Sequence, residues 1–370
     1  MSLLSETHAG LASLLETAGF PRVEPAILQP ASLFLDLIGE DIRGRMFLTA
    51  GPDGEEMCLR PDYTIPVCRA HLDGEDARTP ARYSYVGKVF RQRSQGAPEF
   101  LQAGVECFGR DDLEAADAEI LALGLDSVRH LGVDDADVRI GDEGLFRAVL
   151  EALCPPAAWS RRLGELFGET DRLEAALAVM GASEETGSAL PATPTLARVL
   201  EGLDPAAAKG AVAELLGLTG LRPVGGRSAA DIAERLLEQA SLSAQDPATV
   251  RAAELLSRYL KISGTPRAAL AEIEAFAAAQ GLDLGTAPAR FAARLEALEA
   301  RGIAADGMSF SASFGRRLDY YTGFVFEIHS SSRPHAGHIV GGGRYDRLLS
   351  LLGASEPIPA TGFSIWLDRI

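Results

Sequence analysis

Four clusters of side chains have the types and spacing to act on a small molecule. In LRPDYTIPVCRAHL (59–72), Arg60, Asp62 and Thr64 alternate, the spacing that puts side chains on one face of an extended strand edge. VFRQRSQGAPEFLQAGVE (89–106) carries Arg91 and Arg93 two apart, then Gln102 and Glu106 beyond a Gly/Pro turn. GRRLDYYTGFVFE (315–327) crowds Arg316, Arg317, Asp319, Tyr320 and Tyr321 together, and GGGRYDRL (341–348) sets three glycines ahead of Arg344 and Tyr345. Carboxylates suit an ammonium group, guanidinium groups suit a carboxylate or phosphate, and amides and phenols supply orienting hydrogen bonds. Such an inventory fits a zwitterionic small molecule. Each cluster also has a plain structural reading: paired tyrosines fill cores, Arg and Asp pairs solvate surfaces, and a glycine run turns the chain. GGGRY matches neither a Walker loop nor a dinucleotide fingerprint. His335 and His338 in RPHAGH have metal-like spacing but no third ligand nearby, so they read as a solvated loop, and no metal site is expected. The serines of HSSSR sit in no nucleophile-elbow context.

Positioning these clusters falls to elements of two textures. Leu4, Leu11, Leu14 and Leu15 mark an amphipathic helix over 2–18 that Gly19 stops, and 23–28 is extended. From Phe47 to Gly109 short apolar segments such as RYSYVGKVF and FLQAGVECFG read as strands of one sheet. Helix 114–132, strand 137–140 and helix 144–153 follow, completing a mixed α+β unit over 1–154. Residues 155–305 change to Ala/Leu/Glu/Arg runs (169–181, 229–240, 250–260, 290–302) without a fixed repeat, a helical insertion that holds no chemistry-bearing cluster. Strand texture returns over 306–370 in MSFSASF and TGFVFEIHS; the glycine run then opens a helix, and TGFSIWLDRI ends on an extended apolar segment.

With 370 residues and 47% hydrophobic content the chain is long enough to bury two or three cores. A formal charge of -17, with no Lys/Arg run to offset it, disfavours nucleic acid as main partner. Cys58, Cys68, Cys107 and Cys154 occur singly, as reduced packing residues do. No basic leader and no span of about 18 apolar residues is found, so a cytoplasmic protein without a membrane role is expected.

Taken jointly and in order, the clusters resemble histidyl-tRNA synthetase. GFPRVEPAILQP is similar to the first motif of class II synthetases, with Pro25 at its proline; LRPDYTIPVCRA to the LRPEGT segment; and KVFRQR to the second motif, with Arg91 at the motif arginine. FLQAGVECFG follows as in that family, RRLDYYTGFVFE and GGGRYDRL resemble the two histidine-specific signatures, and GFSIWLDRI the third motif. The resemblance covers about 20–110 and 306–370. It implies an α+β class II synthetase-like fold, an antiparallel sheet flanked by helices, and a homodimer built on the first motif. Its residue roles put Asp62, Thr64 and Gln102 on the amino group of histidine, Glu106 and Tyr321 on the imidazole, Arg316 on the carboxylate, and Tyr345 over the pocket.

Three departures bear on catalysis. Trp366 stands at the last of the small glycines that lie under the nucleotide in the synthetases, although Arg369 keeps the motif arginine and Asp368 replaces a glutamate. RQRSQ stands where the family has R-x-E-R-P-Q, so the acid expected two after Arg91 is replaced by Arg93 or deleted. The sequence ends at Ile370, directly after the third motif, where an anticodon-binding domain would follow. A histidine pocket kept while ATP and tRNA features are lost resembles the regulatory subunits of ATP phosphoribosyltransferase. That resemblance implies a non-catalytic subunit without cofactor or tRNA, which stimulates a short-form catalytic subunit in the first step of L-histidine biosynthesis and takes L-histidine as effector. The alternatives are a stand-alone histidine-activating enzyme, favoured by Arg91, Arg316 and Arg369, and a histidine sensor module for some other partner.

Overall fold

Gly19 stops the first helix, α1 (Glu6–Thr17), at a φ of +87°. Leu11 and Leu15, one turn apart, are buried. The computed structural model describes residues 6–35, 44–74, 77–94, 96–182, 210, 247–316 and 320–370; Leu4, Gln95, the helical run expected at 229–240, Arg317 and Asp319 lie outside the described residues. After α1 come β1 (Leu28–Pro30), α2 (Ser32–Leu35), β2 (Phe47–Ala50) and β3 (Glu56–Leu59), and the three strands pair antiparallel in the order β1-β3-β2. Segment 47–109 therefore does not belong to one sheet, as its texture implied. A tight turn, with Gly51 N–H donating to Glu55 C=O at 2.7 Å, closes β2 on β3, and the chain then leaves strand geometry.

Pro61 causes that departure. It has no N–H for a ladder, and α3 (Thr64–Leu72) starts three residues later, with Asp62 Oδ1 accepting the Ile65 N–H of its first turn at 3.3 Å. Arg60, Asp62 and Thr64 thus do not lie along a strand edge: Asp62 and Thr64 open a helix. Arg60 turns inward, donating to Lys88 C=O at 2.9 Å, to Pro25 C=O and to the Tyr63 hydroxyl.

By contacts the chain forms two units, Met1–Val149 with Phe167–Glu169 and Leu260–Ile370, and Leu150–Leu166 with Thr170–Tyr259. In the first, β4 (Ala81–Phe90) and β5 (Glu99–Phe108) form a long hairpin, followed by α4 (Leu113–His130), β6 (Ala136–Asp142) and α5 (Glu143–Leu153), which runs on into the second unit. There α6 (Ala157–Glu165) and α8 (Pro247–Tyr259) each pack on α7 (Thr170–Met180), around buried Trp159, Leu163, Leu173, Leu177 and Leu256. The first unit resumes with β7 (Ser263–Gly264), α9 (Pro266–Gln280), α10 (Ala287–Glu299), β8 (Ser309–Ser311), β9 (Phe324–Ser330), β10 (Val340–Arg344), α11 (Leu348–Leu351) and β11 (Ala360–Trp366). Helices α9 and α10, which share the texture of the 155–305 insertion, belong by contact to the sheet unit, α10 lying against α4.

Among the described residues, eight strands form the main sheet in the order β4-β5-β11-β10-β9-β6-β8-β7, antiparallel except for β6 with β8. The glycine run does not turn the chain; it is β10, in the middle of this sheet. Of the cysteines, Cys58, Cys68 and Cys107 are buried as expected, but Cys154 is exposed beyond α5 at a φ of +47°. No described helix is long and apolar enough to cross a membrane.

One buried ion network joins the sheet to its helices. Arg344, the last residue of β10, donates from Nη2 to Asp117 Oδ1 at 2.7 Å and from Nε to Oδ2 at 3.2 Å. Arg294 of α10 donates to the same Asp117 at 2.9 Å and to Asp142, at the end of β6, at 2.8 Å. All four side chains are at most 7% exposed. Removing one partner strands buried charges of the other sign. Asp117→Ala is expected to destabilise the protein by about 3–5 kcal/mol, read as a lower midpoint in urea unfolding; a midpoint equal to wild type would mean the network carries no stability.

Candidate functional site

Register builds the site. Gln102, Gly104 and Glu106 alternate onto one face of β5, and their partners across the ladders are Gly87, Tyr85 and Tyr83 on β4 and Trp366, Ser364 and Gly362 on β11. Gly362 is required here: a Cβ would lie 2.1 Å from Glu106 Oε2 and 2.4 Å from the Val105 carbonyl oxygen, so any side chain would displace the carboxylate and the backbone together.

Glu106 is the centre of the face. Only 1% exposed, its carboxylate accepts hydrogen bonds from the Tyr345 hydroxyl, from Tyr85 at 3.4 Å and from Thr64. Burial raises its pKa to about 8, against the lowering pull of the Tyr345 and Thr64 hydroxyls, and the charge of Asp62 adds to the rise. Asp62 is itself pushed up by burial, with Arg91 opposing. Tyr85 ties the face together, with its hydroxyl 2.8 Å from Ser364 Oγ and its ring stacked 4.4 Å from Tyr63. Tyr320, Tyr321 and Tyr345 make a three-ring wall, with centroids 5.1 to 6.3 Å apart. Gln102 is 1% exposed, and its Oε1 has no partner among the described residues, leaving an acceptor open to a ligand N–H.

On the other side, four arginines converge from separate segments. Arg369 lies in the electrostatic field of Arg93, Arg91 and Arg316, and burial foremost lowers its pKa. This concentration of positive charge on an acidic chain is invisible to any search for a Lys/Arg run. Much of it is internally answered: Arg93 pairs with Asp368 at 2.6 Å, Arg91 Nε donates to Pro61 C=O at 2.6 Å, and Arg316 Nη1 donates to Glu327 at 2.8 Å. Trp366, 7% exposed, fills the middle, with Arg369 4.9 Å from its ring and His338 meeting it edge-on at 4.5 Å. His338 is thus no solvated loop residue, whereas its neighbour His335 is exposed.

Asp62, Thr64, Gln102, Glu106, Tyr345, Arg316, Tyr321, Arg91, Trp366 and Arg369 all come to this region, whereas Arg60 and Arg344 are spent on structure. Sequence reasoning missed Tyr85, Ser364, Glu327 and the place of His338. For Tyr85 the signal was Gly104, where a Cβ would lie 2.4 Å from its hydroxyl, since glycines inside a strand mark close approach of another group.

Comparison with known proteins shows the family. The ATP phosphoribosyltransferase regulatory subunit of Brucella anthropi is 44% identical over 351 residues, 94% of this chain and 92% of the relative. That of Brucella melitensis biotype 1 is likewise 44% identical, over 94% and 91%. This chain belongs to the ATP phosphoribosyltransferase regulatory subunit family. The wider histidyl-tRNA synthetase family pattern matches residues 2–219 and 228–370. Two solved structures share the fold of this regulatory-subunit family member. An ATP phosphoribosyltransferase regulatory subunit/histidyl-tRNA synthetase from Bacillus halodurans matches with a TM-score of 0.62 at 23% identity, over 100% of this chain and 80% of that one. A histidine–tRNA ligase subunit from Alicyclobacillus acidocaldarius matches with 0.58 at 24%, over 98% and 90%. In this family member, then, the α+β class II fold read from the sequence is the fold adopted.

Glu106 gives the regulatory-subunit fold a measurable pH signature. Its folded pKa, about 8, lies above the ordinary 4.5, so the native state binds the extra proton between these values and loses stability as pH rises through that window. Glu106→Gln, which stays neutral, is expected to melt close to wild type at pH 5 and several degrees above it at pH 9 without ligand, on the order of 3–8 °C. A melting difference that does not change with pH would contradict the raised pKa.

Proposed function

We propose that this chain is a non-catalytic regulatory subunit that stimulates a short-form ATP phosphoribosyltransferase catalytic subunit in the first step of L-histidine biosynthesis, and carries histidine feedback to it. The observation that carries this reading is the contrast across one sheet face: an open acceptor on buried Gln102, on the same face as Glu106, beside a buried Trp366 where the synthetases hold the nucleotide over a glycine. Histidine would set its ammonium against Asp62, Thr64 and the open Gln102 Oε1, its imidazole against Glu106 and Tyr321, and its carboxylate against Arg316, with Tyr345 closing over it. A carboxyl titrating near neutrality is suited to imidazole, whose own pKa is about 6.5. On the nucleotide side, an indole held by Arg369 and His338 occupies volume that a purine and phosphates would need, and Arg93 is already paired with Asp368. The subunit acts in the cytoplasm as a homodimer within a larger hetero-oligomer, without tRNA. Feedback requires histidine to bind the inhibited assembly more tightly than the active one, by about 1–3 kcal/mol in typical couplings.

The convergence of Arg91, Arg316 and Arg369 favours a second reading, a stand-alone enzyme that forms histidyl-adenylate. Histidine-dependent ATP–pyrophosphate exchange by the isolated chain would establish that reading in place of the first.

The direct test is the activity of a short-form catalytic subunit with and without this chain, titrated with histidine. The expected result is stimulation by the chain and its loss on adding histidine. Glu106→Ala is expected to keep the stimulation while weakening histidine binding by roughly 10–100-fold. Histidine affinity unchanged in calorimetry would move the inhibitory site away from this pocket.

A further inference from the structure

Arg316 is aimed by Glu327, the last residue of the same signature segment, to which the sequence alone assigned no role. Its guanidinium lies over Gly341, where a Cβ would come within 2.0 Å of Nη1, and Glu327 is the register partner of Gly341 on β9. Glu327 Oε1 accepts from Arg316 Nη1 at 2.8 Å and lies 3.2 Å from His338 Nδ1, while Oε2 lies 3.1 Å from His329 Nε2. Both carboxylate oxygens are therefore held from the sheet side, and the carboxylate is anchored. Burial pushes its pKa up, but the hydrogen bond with His329 and the charge of Arg316 lead the opposing effects and bring it to about 2, so Glu327 stays ionised. Arg316 is 7% exposed and also hydrogen-bonds the Tyr321 hydroxyl, but its Nε–H, although buried, has no acceptor among the described residues. A buried guanidinium N–H without an acceptor is rare unless a ligand supplies one. A guanidinium presents more donors than one carboxylate can use, so one arm can rest on Glu327 while another edge receives a second carboxylate.

We propose that Glu327 is the positioning residue for the effector's carboxylate: it holds one arm of Arg316 so that the open Nε–H edge meets a free α-amino acid, and so selects against analogues that lack the carboxylate. This rests on reading the pocket as a histidine site. Glu327 touches no ligand itself; it acts through Arg316. Its anchorage by His329 and His338 distinguishes it from a mobile competitor, because it cannot swing away from Arg316 without giving up both imidazoles.

Calorimetry on the full chain with L-histidine and with histidinol, which carries a hydroxymethyl group in place of the carboxylate, separates the possible outcomes. Glu327→Ala is expected to weaken histidine by on the order of 10–100-fold and histidinol by less than about 3-fold, collapsing the preference for the carboxylate. Glu327→Gln keeps an oxygen for Arg316 Nη1 and is expected to retain most of that preference. Equal weakening of both ligands would reduce Glu327 to structural support and overturn the proposal, as would tighter histidine binding in the alanine variant, the mark of a competitor. Should Glu327→Ala fail to fold, Glu327→Asp carries the test, since its shorter carboxylate withdraws from Arg316 Nη1 and must cost histidine more than histidinol, equal cost again overturning the proposal. Wild-type protein that binds neither ligand would sink the histidine reading itself, a result distinct from histidine binding that ignores Glu327.

Discussion

Much of the first unit hangs on the charge of Asp117. One carboxylate in the middle of α4 takes two buried guanidinium groups, Arg344 from the central strand and Arg294 from α10, and Arg294 continues to Asp142. Placing charges in an interior is costly unless every one is paired, so the network admits few alternative arrangements of its members. Asp142 Oδ1 also accepts the Leu145 N–H at 3.0 Å, so the network extends into the first turn of α5. The consequence for the site is direct. Tyr345 follows Arg344 in the chain, and with Arg344 fixed at the end of β10 the tyrosine hydroxyl is delivered to Glu106. A buried ion pair on one side of the sheet thereby fixes a pocket residue on the other.

The pocket depends equally on what is missing from the sheet. Gly341 and Gly362 leave the space that the Arg316 guanidinium and the Glu106 carboxylate occupy. Strands without side chains are ordinarily weak, since glycine loses more backbone entropy on ordering than other residues and packs nothing. Here that weakness is offset by position, because β10 is paired on both edges, with β9 and β11, and the charged groups over its face tie neighbouring segments together. Polar groups so placed must be satisfied locally or by a ligand. Glu106 is satisfied by hydroxyls from α3, β4 and the turn after β10, whereas Gln102 and Arg316 keep one open atom each. Gln102 Oε1 is an acceptor and Arg316 Nε a donor, the complement of an ammonium and a carboxylate, and His338 Nε2 beside them is open as well.

Legibility in the sequence follows the range of the interactions. Helix α4 and the hairpin strands were readable because hydrophobic period and turn residues are local signals. The small sheet of β1, β2 and β3 was not, since 47–59 and 81–108 share one texture and only long-range pairing separates them. Arg60 and Arg344 looked like ligand-binding groups because nothing in the sequence distinguishes an arginine spent on buried carbonyls or a buried aspartate from one spent on a substrate. Glu327 shows the opposite failure: its role exists only through register with Gly341, a relation between strands that the sequence lists 14 positions apart. Of the site, the residues to which the resemblance gives a role were legible, and those that aim them were not, even where, as with Glu327 and Ser364, they lie inside the same motifs. His338 was misread for the same reason, its partners Glu327 and Trp366 lying on other strands.

Net charge was the least informative guide to the site. A total of -17 describes the long-range field, which salt screens over roughly 10 Å, but it says little about groups a few ångströms apart in a dry interior. At the site Arg91, Arg93, Arg316 and Arg369, which range from buried to part-exposed, accumulate despite the overall sign. Like charges at that spacing are tolerable only if other groups answer them, and the answers differ along the cluster. Arg93 has Asp368, and Arg369 rests on the Trp366 ring and the His338 carbonyl. Arg316 has Glu327 on one arm and an open donor on another. The positive field that a nucleotide would have neutralised is thus met mostly by the protein's own groups, and among the described residues the one buried guanidinium donor without an acceptor belongs to Arg316, the arginine that by resemblance faces the amino acid's carboxylate.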